Sequence, residues 1–284
     1  MQKTLYISDL DGTLLDSDSL ISRASADMLN RAIAAGASFS IATARTPATV
    51  ASLLSEVDTD LPMVVMTGAT LWNRKDGKYT HTCFIPEKEA EKAVDIYRRL
   101  GFSSFVYTLR DNMLHIYHIG EISPQEKTFM DERDDSPFKT FHIPADGESA
   151  LPSPLDRVVL FYGVRPDAEA YRAHEAVKES MVCSPLCYHD IYGPEIAVAE
   201  VFAVESTKAR GVRTLADSIG ATRIVAFGDN INDLPMLRAA DVAVAVENAV
   251  DEVKAAADIV IGPNTADSVA KFILDDFTSQ TIHD

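Results

Sequence analysis

Apolar and polar positions along this chain follow two rhythms. A short apolar run at 5–8 ends in acids, and residues 22–35 then carry apolar side chains at helical spacing until Gly36 breaks the pattern. Residues 38–42 form a second apolar run, which leads into Thr43-Ala44-Arg45-Thr46-Pro47; there Thr46 can cap a helix and Pro47 suits its first turn. Residues 63–66 give a third. Near-continuous apolar strands alternating with helices predict a parallel sheet covered on both faces.

Around Trp72 the rhythm changes. Asp76-Gly77 lies between short segments like a hairpin turn. Beyond it, residues 104–109, 113–119, 138–143 and 158–164 read as strands, residues 87–100 and 167–180 as helices, and the stretch 144–154 as a loop. From Lys208 the first rhythm returns: a helix to 219, a strand at 223–227, a helix near Leu234, a strand at 242–246 and a further helix. A chain of 284 residues exceeds the usual single core. The prediction is an α/β protein: a Rossmann-like parallel-sheet core over 1–82 and 191–284, interrupted by an α+β insert over 83–190.

With 46% hydrophobic and 24% charged residues, disorder is not expected. A formal charge of −17 opposes nucleic acid and anionic membranes as partners. It equally repels an anionic substrate, so a phosphate site in this chain needs local cations, backbone N–H groups and a metal. Three sparse cysteines, Cys83, Cys183 and Cys187, do not form a disulfide framework and fit a reducing, cytoplasmic setting. The first residues meet acids too early for a signal peptide, and no apolar run approaches the roughly 20 residues of a membrane span, so a soluble protein is expected.

Candidate chemistry lies where the first rhythm places carboxyl strand ends. Asp9-Leu10-Asp11-Gly12-Thr13 follows the first strand, at the edge where open α/β sheets bind ligands. Alternation puts Asp9 and Asp11 on one side, and Gly12 permits a sharp turn beneath them. Two such carboxylates repel unless a cation joins them, and a hard divalent ion such as magnesium takes oxygen ligands of this kind. An Asp-Gly turn is the plainer alternative. A second acid cluster, Gly228-Asp229-Asn230-Ile231-Asn232-Asp233, follows the strand at 223–227; taken alone it could be a turn with Asn230 or Asn232 capping a helix. Thr43 and Arg45 follow the second strand and Lys208 opens a helix, so each can face a phosphate. Lys208 alone reads as a surface lysine, and its weight comes from its company.

Together these residues resemble the haloacid dehalogenase superfamily, and within it the Cof-type phosphatases with an inserted class 2 α/β cap. Asp-x-Asp-Gly-Thr is complete at Asp9, Asp11, Gly12 and Thr13; the second-motif threonine corresponds to Thr43, the third-motif lysine to Lys208, and Gly-Asp-x-x-Asn-Asp is complete at Gly228, Asp229, Asn232 and Asp233. The resemblance implies that Asp9 attacks phosphorus to give an aspartyl phosphate, while Asp11 protonates the leaving oxygen and later deprotonates water. It implies magnesium held by the Asp9 and Asp229 carboxylates and the Asp11 carbonyl. Thr43, Arg45, Lys208, Asn232 and Gly12 would bind the phosphoryl group, and Asp233 would hold a metal-bound water or orient Lys208. Ala44, Thr67 and Ala209 stand where many relatives carry glycine, asparagine and glycine. The expected partner is a small phosphorylated metabolite, a sugar phosphate first, then pyridoxal phosphate or flavin mononucleotide; the expected oligomeric state is a monomer. Two other readings are a phosphosugar mutase and a non-catalytic phosphometabolite sensor.

Other residues invite plainer readings. His115 and His118, three apart on a strand, face opposite sides. Cys183 and Cys187 lack the partner pair of a zinc site. Tyr188, His189, Tyr192 and Glu195, near the insert's return, read as hinge or strand surface. No Gly-x-Gly-x-x-Gly follows a strand, which disfavours nicotinamide binding.

Overall fold

The computed structural model describes residues 3–131, 137–144, 149–189 and 195–282. Strand β1 (Thr4–Ser8) is buried at every position, as an uncharged strand between two helical layers must be. Helix α1 (Arg23–Ala34) starts where Ser22 Oγ accepts the Ser25 N–H. It leads to β2 (Ser38–Ile41) and to α2 (Pro47–Leu53), where Thr46 occupies the cap position without a side-chain bond. Strands β3 (Met63–Val65), β4 (Thr70–Trp72) and β5 (Tyr79–Thr80) form an antiparallel three-stranded sheet, joined to the end of β2 by a parallel bridge between Ala42 and Val64.

The insert comprises α3 (Glu87–Leu100), β6 (Ser104–Arg110), β7 (Met113–Ile119), α4 (Pro124–Asp131), β8 (Lys139–Phe141), β9 (Val158–Pro166), α5 (Asp167–Ser180), β10 (Ser184–His189) and β11 (Ile196–Phe202). The chain then forms α6 (Lys208–Ile219), β12 (Arg223–Gly228), α7 (Leu234–Leu237), β13 (Val242–Ala245), α8 (Asp251–Ala256), β14 (Ile259–Val260) and α9 (Ser268–Ile282).

The chain divides into two compact units, 1–81 with 207–284, and 82–206. The expected return to the core at 191 lies too early. The apolar run β11 pairs antiparallel with β9 and β10 and so belongs to the insert's six-stranded sheet, ordered β10-β11-β9-β6-β7-β8. Residues of α3 and α5 pack on one face of that sheet around Tyr97, Phe102 and Phe161. Gly163 is glycine because a Cβ there would lie 2.6 Å from the Phe102 ring. His118 is buried beside Glu126, whereas His115 meets His142 across 2.8 Å. Burial pushes the Cys183 and Cys187 thiols up to about 11, which keeps both protonated at neutral pH. His189 faces Asp167 and the Glu195 carbonyl accepts the Asp167 N–H; Tyr192 and part of the loop expected over 144–154 lie outside the described residues.

In the first unit the parallel sheet runs β14-β13-β12-β1-β2. β1 therefore sits between β2 and a strand more than two hundred residues later. The register sets Ser8 beside Ile41 on one side and Phe227 on the other, so the residues that follow, Asp9, Thr43 and Asp229, emerge at one sheet edge. This is the topological switch point, where neighbouring connections leave in opposite directions and open a crevice.

From the middle of β1 and the start of β12, the Tyr6 hydroxyl and Arg223 Nη1 both donate to Asp276 Oδ2 at 2.7 Å, which fastens α9 to the sheet. Asp276→Ala leaves Arg223 unpaired and takes the carboxylate from the buried Tyr6 hydroxyl, so a loss of about 2 kcal/mol is expected in urea unfolding. An unchanged midpoint would show that this clamp contributes nothing.

Candidate active site

After Asp9 the backbone makes a wide turn over Leu10–Leu14, closed by the Leu15 N–H on the Leu10 carbonyl at 2.9 Å. Gly12 takes φ of 75° in this turn, and a Cβ there would fall 2.5 Å from Asp229 Oδ2. Glycine is therefore required twice, by conformation and by the carboxylate above it. Thr13, buried in the same turn, donates its hydroxyl to Asp229 Oδ1 at 2.7 Å. The two acid clusters are thus joined through Thr13.

Lys208 is the first residue of α6, whose cap, Thr207, accepts the Arg210 N–H. The lysine is 2% exposed, and its ammonium donates to Asp9 Oδ1 and to Asp233 Oδ1, each at 2.7 Å. The other Asp233 oxygen accepts the N–H groups of Asp229 and Asn230 at 3.1 and 3.2 Å. Asp233, fully buried, thereby fixes both the lysine and the Asp229 loop. The chain after β3 also abuts the start of α6: a Cβ on Gly68, at φ 86°, would lie 2.1 Å from the Thr207 carbonyl.

Burial pushes the Asp9 carboxyl up toward about 7; the Lys208 ammonium opposes this, and the Asp233 charge adds to it. Desolvation alone would lower Lys208, but Asp9 and Asp233 overcome it and hold the ammonium above its usual range. Asp229 is also raised, first by burial, with its Thr13 bond working the other way. Asp9, expected at an open strand end, is in fact only 6% exposed, because β2, β12 and the Lys208 side chain enclose it.

Carboxylate oxygens of Asp9, Asp229 and Asp233 lie within 4.8 Å of one another. Three converging carboxylates with one lysine leave net negative charge in a buried space, and this oxygen donor set suits a hard divalent cation. Asp229 Oδ2 accepts no hydrogen bond among the described residues, whereas both Asp233 oxygens are engaged. The pair fitted to hold a metal is therefore Asp9 and Asp229, with Asp233 orienting its neighbours. The Asp11 carboxylate is not part of this cluster; its expected share, through the carbonyl, concerns a different atom.

Arg45, expected to face a phosphate, is taken by Asp11: Nε and Nη2 donate to its two oxygens at 2.8 and 2.6 Å. The pair is part-exposed. Thr43 is buried just past the end of β2, and its hydroxyl accepts the Arg45 N–H at 3.2 Å. Asn232 lies in the Asp229 loop but is exposed and bonds to none of these groups. Two asparagines that belong to no motif also reach this turn: Asn248 Nδ2 donates to the Gly12 carbonyl at 2.7 Å, and Asn264 Nδ2 to that of Leu15 at 2.8 Å. Their only signal was an asparagine in each loop after the last two core strands.

Comparison with known proteins places this arrangement. Residues 6–273 match the model of the haloacid dehalogenase-like hydrolase family. The pyridoxal phosphate phosphatase YbhA of Escherichia coli (strain K12) is 26% identical over 272 residues, covering 93% of this chain and 95% of that protein. The 5-amino-6-(5-phospho-D-ribitylamino)uracil phosphatase YwtE of Bacillus subtilis (strain 168) is 28% identical over 287 residues, with 93% and 95% covered. A haloacid dehalogenase-like hydrolase from Bacteroides thetaiotaomicron shares the fold, with a TM-score of 0.76 at 22% identity over 97% of this chain and 100% of that one. Among the described residues no helix is long and apolar enough to cross a membrane. With its acid clusters joined at the switch point of a parallel sheet, this chain belongs to the haloacid dehalogenase-like hydrolases and is a Cof-type phosphatase of that superfamily.

Proposed function

We propose that the chain hydrolyses small phosphorylated metabolites, sugar phosphates first, with magnesium and through a phosphoryl group carried on Asp9. The observation that carries this reading is the buried contact of Lys208 with Asp9, backed by Asp233 and adjoining Asp229. A bare lysine–carboxylate pair would be a plain ion pair. Here a second and a third carboxylate converge on it, an arrangement that stability alone does not favour.

In the first half of the reaction an Asp9 oxygen bonds to phosphorus as the P–O bond to the metabolite breaks, and the leaving oxygen takes a proton from Asp11. In the second half, water bonds to phosphorus, gives its proton to Asp11, and the P–O bond to Asp9 breaks, releasing phosphate and restoring both carboxyl groups. Lys208 and Thr43 hold phosphoryl oxygens, and Lys208 keeps its charge because two carboxylates support it. Held by Asp9 and Asp229, magnesium would supply positive charge where the phosphoryl group gains negative charge. Both Asp11 oxygens are engaged by the Arg45 guanidinium. To donate a proton in the first half Asp11 must leave that fork, and an arriving phosphate dianion gives Arg45 another anion to bind.

The substrate is proposed to be selected by the insert and to be soluble; the charge of −17 supports a protein without nucleic-acid or membrane partners, and a monomer is proposed. Turnover of sugar phosphates, pyridoxal phosphate and a generic aryl phosphate, with magnesium and without a bisphosphate activator, tests this reading. Release of inorganic phosphate supports hydrolysis, whereas transfer to a second sugar position would favour a mutase.

Asp11→Asn should cost alkyl phosphates far more than aryl phosphates, since a phenolate scarcely needs a proton to leave. A gap of at least about a hundredfold between the two losses is expected in kcat/KM. Equal losses would remove Asp11 from the proton-donor role.

A further inference from the structure

The turn that carries Asp11 and Thr13 is held from outside by two carboxamides that belong to neither acid cluster. Asn248, between β13 and α8, accepts the Asn264 N–H on Oδ1 at 2.9 Å. A backbone N–H can pair only with the amide oxygen, so Nδ2 must be the atom that faces the Gly12 carbonyl, at 2.7 Å. Asn264, just beyond β14, turns its own Nδ2 onto the Leu15 carbonyl at 2.8 Å. The two amides thus grip the turn at its middle and at its end. The Asn248 segment is itself fixed: the Val250 N–H reaches the Asp229 carbonyl at 3.0 Å and the Glu247 N–H the Gly262 carbonyl at 3.3 Å.

We propose that Asn248 is a positioning residue, which with Asn264 locks the Asp11–Thr13 turn against the Asp229 loop. The argument is geometric. Gly12 has no side chain to anchor it and sits at a positive φ, directly below Asp229. Thr13 orients Asp229 only while the turn stays in register, and Asp11 reaches a leaving group from the same turn. A loosened turn displaces both, and small displacements of reacting groups are costly to rate. Exposure of Asn248 lets water compete for its bond. The Asn264 link and the Val250 tie offset this by holding the amide in place.

The proposal rests on the catalytic reading above, so its test carries a measurement that does not. Asn248→Ala is compared with wild type by hydrogen exchange over residues 9–15, by kcat and KM, and by the heat of magnesium binding. Faster exchange at the Leu15 amide is expected, together with a kcat lower by about ten- to a hundredfold, a nearly unchanged KM, and weaker magnesium binding. A merely structural role would lower the melting temperature and leave kcat, measured well below that temperature, at its wild-type value. Unchanged exchange and kcat would overturn the proposal. If Asn248→Ala fails to fold, Asn264→Ala decides: it should speed Leu15 exchange and lower kcat less, and unchanged exchange again overturns the proposal. Should Asp229→Ala bind magnesium like wild type, the metal reading falls, while exchange over the turn still judges Asn248.

Discussion

Asp9→Asn is expected to lower turnover of every phosphomonoester by at least about a thousandfold while the protein stays folded. The chemical reason is that the amide oxygen is a poor nucleophile and cannot carry the phosphoryl group as a labile mixed anhydride. The fold should survive because Lys208 retains Asp233 at 2.7 Å, so no buried cation is left without a partner. Removing one of three crowded carboxylates should even stabilise the metal-free protein. An Asp9 carboxyl raised from 3.8 toward about 7 by burial makes the native state less stable as pH rises from the unfolded value to the folded one. The melting temperature of Asp9→Asn should therefore exceed that of wild type by a margin that grows between about pH 4 and 7 and then levels, with chelator present throughout. A variant that keeps a tenth of wild-type activity, or a margin that shrinks over this range, would contradict the assignment.

The second large effect concerns the metal. Chelator should stop turnover and added magnesium should restore it, because one lysine cannot offset Asp9, Asp229, Asp233 and a phosphate dianion together. Asp229→Ala should raise the magnesium concentration for half activity by more than about a hundredfold, beyond the usual loss from changing a ligand's outer partner. A readout independent of turnover accompanies it: saturating magnesium should raise the melting temperature of wild type and leave that of Asp229→Ala almost unmoved. Full activity in chelator would overturn the metal site, as would an unchanged magnesium requirement in the variant.

Local chemistry made the acid clusters and the alternation of strand and helix legible in the sequence. A strand such as 4–8 without a charge can only be interior, and Asp9 directly follows it; Asp229 follows a strand that opens on Arg223 but is buried over its last four residues. What escaped detection depends on distant pairing. The run Ile196–Phe202 is apolar like a core strand at every position but Glu200, and only its antiparallel register with β9 and β10 assigns it to the insert. Arg45 follows a core strand and looks free for an anion, yet the turn at Gly12 swings Asp11 into its reach. Asn248 resembles any loop asparagine until the fold brings it to a carbonyl 236 positions away. Burial of Asp9 was hidden for a similar reason: a strand end looks open until flanking strands and Lys208 close over it. In each case the residue type was visible and its partner was not.

The covalent role of Asp9 is tested most directly by catching the enzyme during turnover. Wild-type protein mixed with excess substrate and magnesium is quenched in acid within the first turnovers, treated with borohydride to convert an acyl phosphate to the alcohol, digested and sequenced by tandem mass spectrometry. The account predicts reduction at Asp9 alone, absent from Asp9→Asn and from wild type without substrate. Reduction at another carboxylate, or rapid turnover through many quench times with position 9 intact, would contradict it.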